Sequence, residues 1–225
     1  MDGVRCRLFE ERLLAQEAVR QALQREFGTE RLSSINIKKD VFGKPYAYLH
    51  ERGDMRTIAL SWSHTFPCAI AAAATNNTVS IGADVERVRN FRPSTAEAFL
   101  TGREQKYLQT CSEVQRVLQT TMIWSLKESF LKSVGTGIRI HPRRIDVAEL
   151  VALPRATQGT VCIDNQRIPV RFWTYLFGRN RFSAAVVVLS QKEAYTLRNA
   201  FHREQLTRGT THRRARQHAD AKILP

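Results

Sequence analysis

Val79-Ser80-Ile81-Gly82-Ala83-Asp84-Val85-Glu86 is the stretch from which the fold is read. Alternation along an extended segment turns Val79, Ile81, Ala83 and Val85 to one face and Ser80, Gly82, Asp84 and Glu86 to the other. Two carboxylates then share a face, two residues apart, and Gly82 is expected to leave open space beside them. Like charges this close are unfavourable unless water screens them or a cation sits between them. A solvated strand end meets the first condition. A hard divalent cation such as Mg²⁺, which prefers carboxylate oxygens, meets the second.

Upstream, Cys68–Ala74 reads as a buried strand, and Asn76-Asn77 as a hairpin turn into Val79–Glu86. Ile58, Leu60 and Trp62 alternate with Ala59, Ser61 and Ser63 in a further strand. Phe42-Gly43-Lys44-Pro45 is a turn signal, because glycine permits positive φ and proline holds Lys44 extended. Residues 8–27 predict an amphipathic helix carrying Leu14, Ala18, Ala22, Leu23 and Phe27, with Gly28 as its stop.

Downstream, a helix is expected from near Thr101, and another over roughly Val117–Val134. In the latter, Leu118, Met122, Leu126, Phe130 and Val134 recur at i, i+4 until Gly135-Thr136-Gly137. Thr160–Ile163 and Pro169–Phe177 read as strands joined by Asp164-Asn165, and Arg181–Leu189 as a last strand. Order and spacing predict an α+β chain in two halves, 1–89 and 90–190, with a boundary near Glu86–Pro93. Residues 191–225 form a basic extension, with eight Lys or Arg against Glu193, Glu204 and Asp220. Its first part is expected to be helical and its end, from about Thr207, mobile.

Of the 225 residues 43% are hydrophobic, enough for a real core and too many for intrinsic disorder. The longest apolar runs, Pro67–Ala74 and Ala184–Leu189, fall far short of the ~20 residues a spanning helix needs. No secretion signal is read at Met1–Arg7. Cys6, Cys68, Cys111 and Cys162 form no CxxC pair and suit reduced thiols in a cytoplasm. A net charge of +14 calls for an anionic partner: nucleic acid, a phosphorylated small molecule or an acidic protein.

Trp124, Glu128 and Lys132 form one i, i+4 row opposite the Met122–Leu126–Phe130 stripe. Glu128 is a candidate third carboxylate, and Lys132 a candidate phosphate ligand. A surface Glu–Lys pair is the plainer reading, but it leaves Trp124 on a wet face unexplained. Ser63-His64-Thr65 at a strand end offers a hydroxyl, an imidazole and backbone N–H groups to a phosphate. Thr101-Gly102-Arg103-Glu104 reads as a helix capping box.

Taken in order, Gly43-Lys44-Pro45, Ser63-His64-Thr65, Gly82-Ala83-Asp84-Val85-Glu86, Phe99 with Glu104, and Trp124-Ser125-Leu126-Lys127-Glu128-Ser129-Phe130-Leu131-Lys132 with Gly135-Thr136-Gly137 resemble the Sfp-type 4′-phosphopantetheinyl transferases over roughly residues 8–189. The resemblance implies a pseudo-dimer of two similar α/β half-domains with coenzyme A (CoA) in the cleft between them. It implies transfer of the 4′-phosphopantetheine arm of CoA to a serine of an apo acyl or peptidyl carrier protein, with release of 3′,5′-ADP. Asp84, Glu86 and Glu128 would bind Mg²⁺; Lys132, Ser63 and His64 would contact phosphates; Lys44 and Pro45 would line the adenine end. Glu128 is the first choice for the base and Glu104 its rival, with capping rated at least equal to chemistry at Glu104. Carriers of polyketide, nonribosomal-peptide or fatty-acid synthesis are the implied partners, with a tilt to secondary metabolism, and the two-half length favours a monomer.

Two features depart from the family pattern. Members carry a further strand and basic residues ahead of the segment resembling Cys6–Leu14, and Arg5, Arg7 and Arg12 are expected to stand in partly for those cations. The basic tail is not required by the pattern. An inactive CoA- or carrier-binding relative is therefore the second hypothesis. A basic nucleic-acid-binding protein ranks third, because no nucleic-acid-binding motif is present.

Overall fold

In the computed structural model, which describes residues 13, 15–25, 28, 35–51, 54–74, 78–153, 157–179 and 181–220, the strands form two antiparallel sheets. The first runs in order β1 (Ile35–Lys39), β2 (Pro45–Glu51), β3 (Asp54–Thr65), β4 (Cys68–Ala74). The second comprises β5 (Val79–Arg87), β6 (Ile145–Asp146), β7 (Gln158–Ile163), β8 (Gln166–Phe177) and β9 (Phe182–Ser190), in spatial order β5-β9-β8-β7-β6. The helices are α1 (residues 15–25), α2 (Pro93–Phe99), α3 (Gly102–Gln109), α4 (Glu113–Val134), α5 (Ala148–Val151) and α6 (Gln191–Asp220). The chain is α+β, as the sequence predicts.

Each sheet has a long helix against it, and each pair has its own core. Val19 and Leu23 of α1 bury against Ala47, Ile58 and Leu60 of the first sheet. The buried stripe of α1 is Ala15–Val19–Leu23, with Ala18 and Ala22 on its flank; Leu14 and Phe27 lie outside the described residues. Gly28 does stop the helix, at φ 81° with its N–H donated to the Gln24 carbonyl. Under the second sheet, Leu126, Phe130 and Val134 of α4 pack with Val161, Phe172, Ala185 and Val187.

Several expectations change. Val79–Arg87 does not pair with Cys68–Ala74: β4 ends the first sheet, and β5 is an edge strand of the second, hydrogen-bonded to β9 from Val79↔Ser190 to Arg87↔Phe182. The two sheets thus divide between β4 and β5, ahead of Glu86–Pro93. The Asn76-Asn77 turn lies outside the described residues, and β4 is half-buried along its whole length. Ile35–Lys39 and Pro45–Glu51 pair as a hairpin whose alternation the sequence reading passed over.

Helix α4 begins at Glu113, four residues early, because Ser112 and Gln115 make a reciprocal capping box. Asp164 and Asn165 both take positive φ in the β7–β8 turn, and α3 starts at the predicted Thr101–Glu104 box. The C-terminal helix continues to Asp220, past the Thr207 where a mobile end is expected. Ala194, Leu197 and Phe201 anchor it in the second core, so the helix is nucleated by packing before its polar part begins. No described helix is long and apolar enough to cross a membrane.

Candidate functional site

The even-numbered face of β5 lies under α4 and meets it in antiparallel register. Ser80 donates to the Ser133 carbonyl at 2.6 Å, Asp84 pairs with Lys132 at 2.7 Å, and the Trp124 indole N–H donates to Glu86 Oε1 at 3.1 Å. Gly82 does not open space beside the carboxylates. A Cβ there would sit 1.8 Å from the Ser129 carbonyl oxygen, so the glycine lets the helix backbone approach the strand. That close approach brings Glu128 and Lys132 over Asp84 and Glu86.

Most of α4 between Thr120 and Val134 is buried; Trp124, Glu128 and Lys132 are the part-exposed positions along it. The row singled out from sequence is therefore the face that looks out between the sheets. Trp124 belongs there because its ring packs on Phe99, centroids 4.9 Å apart, while its N–H holds Glu86.

The carboxylates share one electrostatic environment. Burial, followed by the Asp84 charge, pushes Glu128 from 4.5 up to about 7, with Lys132 opposing and Glu86 adding to the shift. Burial, then Asp84, also raises Glu86, against the indole hydrogen bond. Asp84 Oδ1 is engaged twice, by Lys132 Nζ at 2.7 Å and by the Ser63 hydroxyl at 2.8 Å. Asp84 Oδ2 and Glu128 Oε1 are buried without a hydrogen-bond partner. Orphaned carboxylate oxygens in a shielded place are the donor chemistry that a hard divalent cation satisfies. Among the described residues, however, no group of three or more His, Cys, Asp or Glu is gathered so that it could hold a metal ion. Lys132 is the cation that Asp84 has.

The edge of β5 is covered by β3. Ser61 Oγ accepts the Ala83 N–H at 2.9 Å, and Ser63 reaches Asp84, so the odd-numbered side of β3 faces the site. His64 points the other way, into a cavity of about 490 Å³ beside α1 that Val19, Leu23 and Trp62 also line. The Ser63 and His64 side chains are thus on opposite faces and do not converge.

A second cavity, about 420 Å³, opens between the first sheet and the C-terminal end of α4 and is lined by Lys44, Pro45, Trp62, Lys132, Gly135 and Thr136. Lys44 and Pro45 enter it from the first sheet. The Lys44 ammonium crosses to donate to Ser80 Oγ and the Ser133 carbonyl, each at 2.5 Å. Burial, reinforced by the Arg198 charge and opposed by Asp40, lowers Lys44 from 10.5 to about 7.

Glu104 stands apart. It closes the α3 capping box, and its other partners are the Val147 N–H at 2.9 Å and Lys127 Nζ at 2.7 Å, both members of the ion pair being fully buried. No contact of Glu104 reaches Asp84, Glu86 or Glu128. Lys127, which sequence reasoning left without a role, is thus a structural ammonium inside α4. Its only sequence signal is a lysine one residue off the exposed Glu128–Lys132 row. Arg198 and Asp40 were also missed, since residues 158 apart in sequence give no local signal.

Residues 80–188 match the family model described as the 4′-phosphopantetheinyl transferase superfamily. Over 140 residues the chain is 26% identical to the 4′-phosphopantetheinyl transferase gsp of Aneurinibacillus migulanus, covering 62% of this chain and 53% of that relative. The match thus spans about half the length of the curated protein. Among solved structures, the holo-[acyl-carrier-protein] synthase of Thermotoga maritima aligns at TM-score 0.36 and 20% identity, over 49% of this chain and 62% of its own. The holo-(acyl-carrier-protein) synthase of Bacillus anthracis in complex with CoA (3′,5′-ADP) aligns at 0.35 and 19%, over 49% and 95%.

Proposed function

We propose that this chain is a 4′-phosphopantetheinyl transferase of the Sfp type. It would move the phosphopantetheine arm of CoA to a serine of an apo carrier protein and release 3′,5′-ADP. One observation carries the reading: inside the family-matched segment 80–188, Asp84, Glu86 and Glu128 are coupled electrostatically with one another and with Lys132, and two of their buried oxygens, Asp84 Oδ2 and Glu128 Oε1, have no hydrogen-bond partner.

In the reaction, the serine Oγ forms a bond to the β-phosphorus of CoA. The bond from that phosphorus to the bridging oxygen breaks, and its electron pair leaves with 3′,5′-ADP. The three carboxylates are not gathered as a metal site here; Asp84, Glu86 and Glu128 would have to draw together to hold Mg²⁺, which would supply charge neutralisation on the pyrophosphate. Lys132 adds a positive charge from α4, and its side chain is 28% exposed, open enough to exchange Asp84 for a phosphate oxygen. Glu128, part-exposed on α4 beside Asp84 and Glu86, is the carboxylate placed to take the serine proton. Glu104 is the weaker choice for this step, since both its oxygens are already engaged.

Lys44, Pro45 and Lys132 line the cleft between the first sheet and the end of α4, which supports a CoA site there. Ser63 would contribute its hydroxyl beside Asp84, and His64 its backbone at the strand end. The free thiols of Cys68, Cys111 and Cys162 support a cytoplasmic setting. The net charge of +14 suits polyanionic CoA and an acidic carrier. The test is to incubate the chain with CoA, Mg²⁺ and an apo carrier and to follow 3′,5′-ADP by chromatography. Product that forms with the carrier and not with its serine-to-alanine variant supports the reading; CoA bound without turnover on any carrier replaces it with a binding relative.

A further inference from the structure

Away from the carboxylate cluster, a polar assembly among the described residues ties the C-terminal helix to the first sheet. Asp40 opens the turn that carries Phe42, Gly43, Lys44 and Pro45. Its Oδ1 accepts the backbone N–H groups of Phe42 at 2.9 Å and Lys44 at 2.8 Å, which fixes the turn from within. Its Oδ2 is taken by Arg198 Nη1 of α6 at 2.7 Å.

Arg198 belongs to the other half of the molecule. Its helix is seated in the second core by Ala194, Leu197 and Phe201. The Arg198 Nε–H donates to the Val134 carbonyl at the C-terminal end of α4, at 3.0 Å, where a cation is favoured by the helix dipole. The guanidinium also lies over the Phe42 ring, 5.3 Å from its centroid, and that ring makes a T-shaped contact with His202. The Arg198 side chain is only 10% exposed. One side chain therefore grips a turn of the first sheet, the end of α4 and an aromatic ring at once. Replacing any one partner by solvent would not release the others.

The position of this assembly matters because the turn and the end of α4 are the two walls of the 420 Å³ cleft. Phe42, Lys44 and Pro45 stand on one side, and Gly135 and Thr136 on the other. Gly135, at φ 83°, lets the chain leave α4 beneath the guanidinium; a Cβ there would lie 3.3 Å from Arg198 Cζ and 3.0 Å from Lys44 Cδ.

We propose that Arg198 is a positioning residue, an inter-sheet latch that acts through Asp40 to set the Phe42–Pro45 wall of the cleft. That the cleft's ligand is CoA rests on the function proposed above. The latch itself does not. It gives the C-terminal extension a specific role that the family resemblance does not require of it.

The test uses the full chain with Arg198→Met, and with Asp40→Asn as a second variant that keeps an oxygen for the turn N–H groups and weakens only the grip on Arg198. Native-state hydrogen exchange reads the latch without any ligand. Protection of the Phe42 and Lys44 amides should fall at least tenfold in Arg198→Met, with β8 and β9 amides unchanged. Unchanged protection at Phe42 and Lys44 overturns the latch. Titration with CoA reads its consequence. The Kd and the KM for CoA should rise at least tenfold while kcat at saturating CoA stays within twofold, a split that general destabilisation would not give. Wild-type affinity retained in both variants overturns the positioning role. A wild-type chain that does not bind CoA contradicts the proposed function instead, and the exchange result then decides the latch alone.

Discussion

Lys132 Nζ lies 2.7 Å from Asp84 Oδ1, so a lysine on α4 neutralises the central carboxylate of β5. The Asp84 side chain is 4% exposed and that of Lys132 28%. Lys132 also lines the 420 Å³ cavity between the first sheet and the end of α4, while Asp84 is buried behind it. The pair's partner assignments are what binding of a pyrophosphate and a cation would rearrange.

Removing that ammonium leaves a buried carboxylate without a cation. Lys132→Met should lower stability by about 3 kcal/mol in chelator-treated buffer. Millimolar Mg²⁺ should restore a large part of the loss if Asp84, Glu86 and Glu128 form the cation site. Thermal unfolding with and without Mg²⁺ measures both effects, and a variant indifferent to Mg²⁺ argues against that ligand set.

Glu128 offers a pH signature. A carboxyl whose pKa is higher in the folded chain weakens folding as pH rises. Below the ordinary value of 4.5 both states are protonated and Glu128 contributes nothing. From 4.5 the unfolded chain ionises first, and above about 7 the whole penalty is present. Glu128→Gln should therefore stabilise the metal-free chain by about 2 kcal/mol at pH 8, less than the full shift because the group is partly screened, and by almost nothing at pH 4. Denaturant melts at the two pH values provide the check.

Gly82→Ala should be among the most damaging small substitutions in the chain. The added methyl would meet helix backbone at 1.8 Å, which no rotamer can relieve, so α4 must lift from β5. A loss of at least about 3 kcal/mol is expected, with CoA-dependent turnover lost alongside. A fully stable, active Gly82→Ala protein would mean that the carboxylates do not depend on this close approach.

The buried Glu104–Lys127 pair should behave as one unit. Lys127 also donates to the Phe99 and Pro142 carbonyls, and Glu104 also caps α3. Lys127→Met or Glu104→Gln alone should cost about 3–5 kcal/mol by stranding a buried charge, and the double variant clearly less than the sum. Additive losses in a double-mutant cycle would show that the two act separately.

Much of the chemistry in which a residue acts through its neighbours in sequence was legible, though the Ser112–Gln115 box and the β1–β2 hairpin were not read. The Thr101–Glu104 box, the Asp164-Asn165 turn, the Gly28 and Gly135 stops and the Trp124–Glu128–Lys132 row are all present in the fold. What depends on distant packing was not legible. The alternation of β5 gave its two faces correctly but not its sheet, because pairing with β9, about a hundred residues on, leaves no trace in Val79–Glu86 itself. Gly82 was noticed for the right reason, a missing side chain, and read the wrong way, since the space is filled by α4. Ser63 and His64 looked like one ligand pair because they are adjacent; strand geometry sends them to opposite faces.

The most direct measurement is the intact mass of an apo carrier protein after incubation with this chain, CoA and Mg²⁺. A gain of about 340 Da, one phosphopantetheine arm, that disappears with EDTA and with Asp84→Ala is the predicted result. An unchanged carrier mass across fatty-acid, polyketide and nonribosomal-peptide carriers, from protein that binds CoA and is folded, would contradict it.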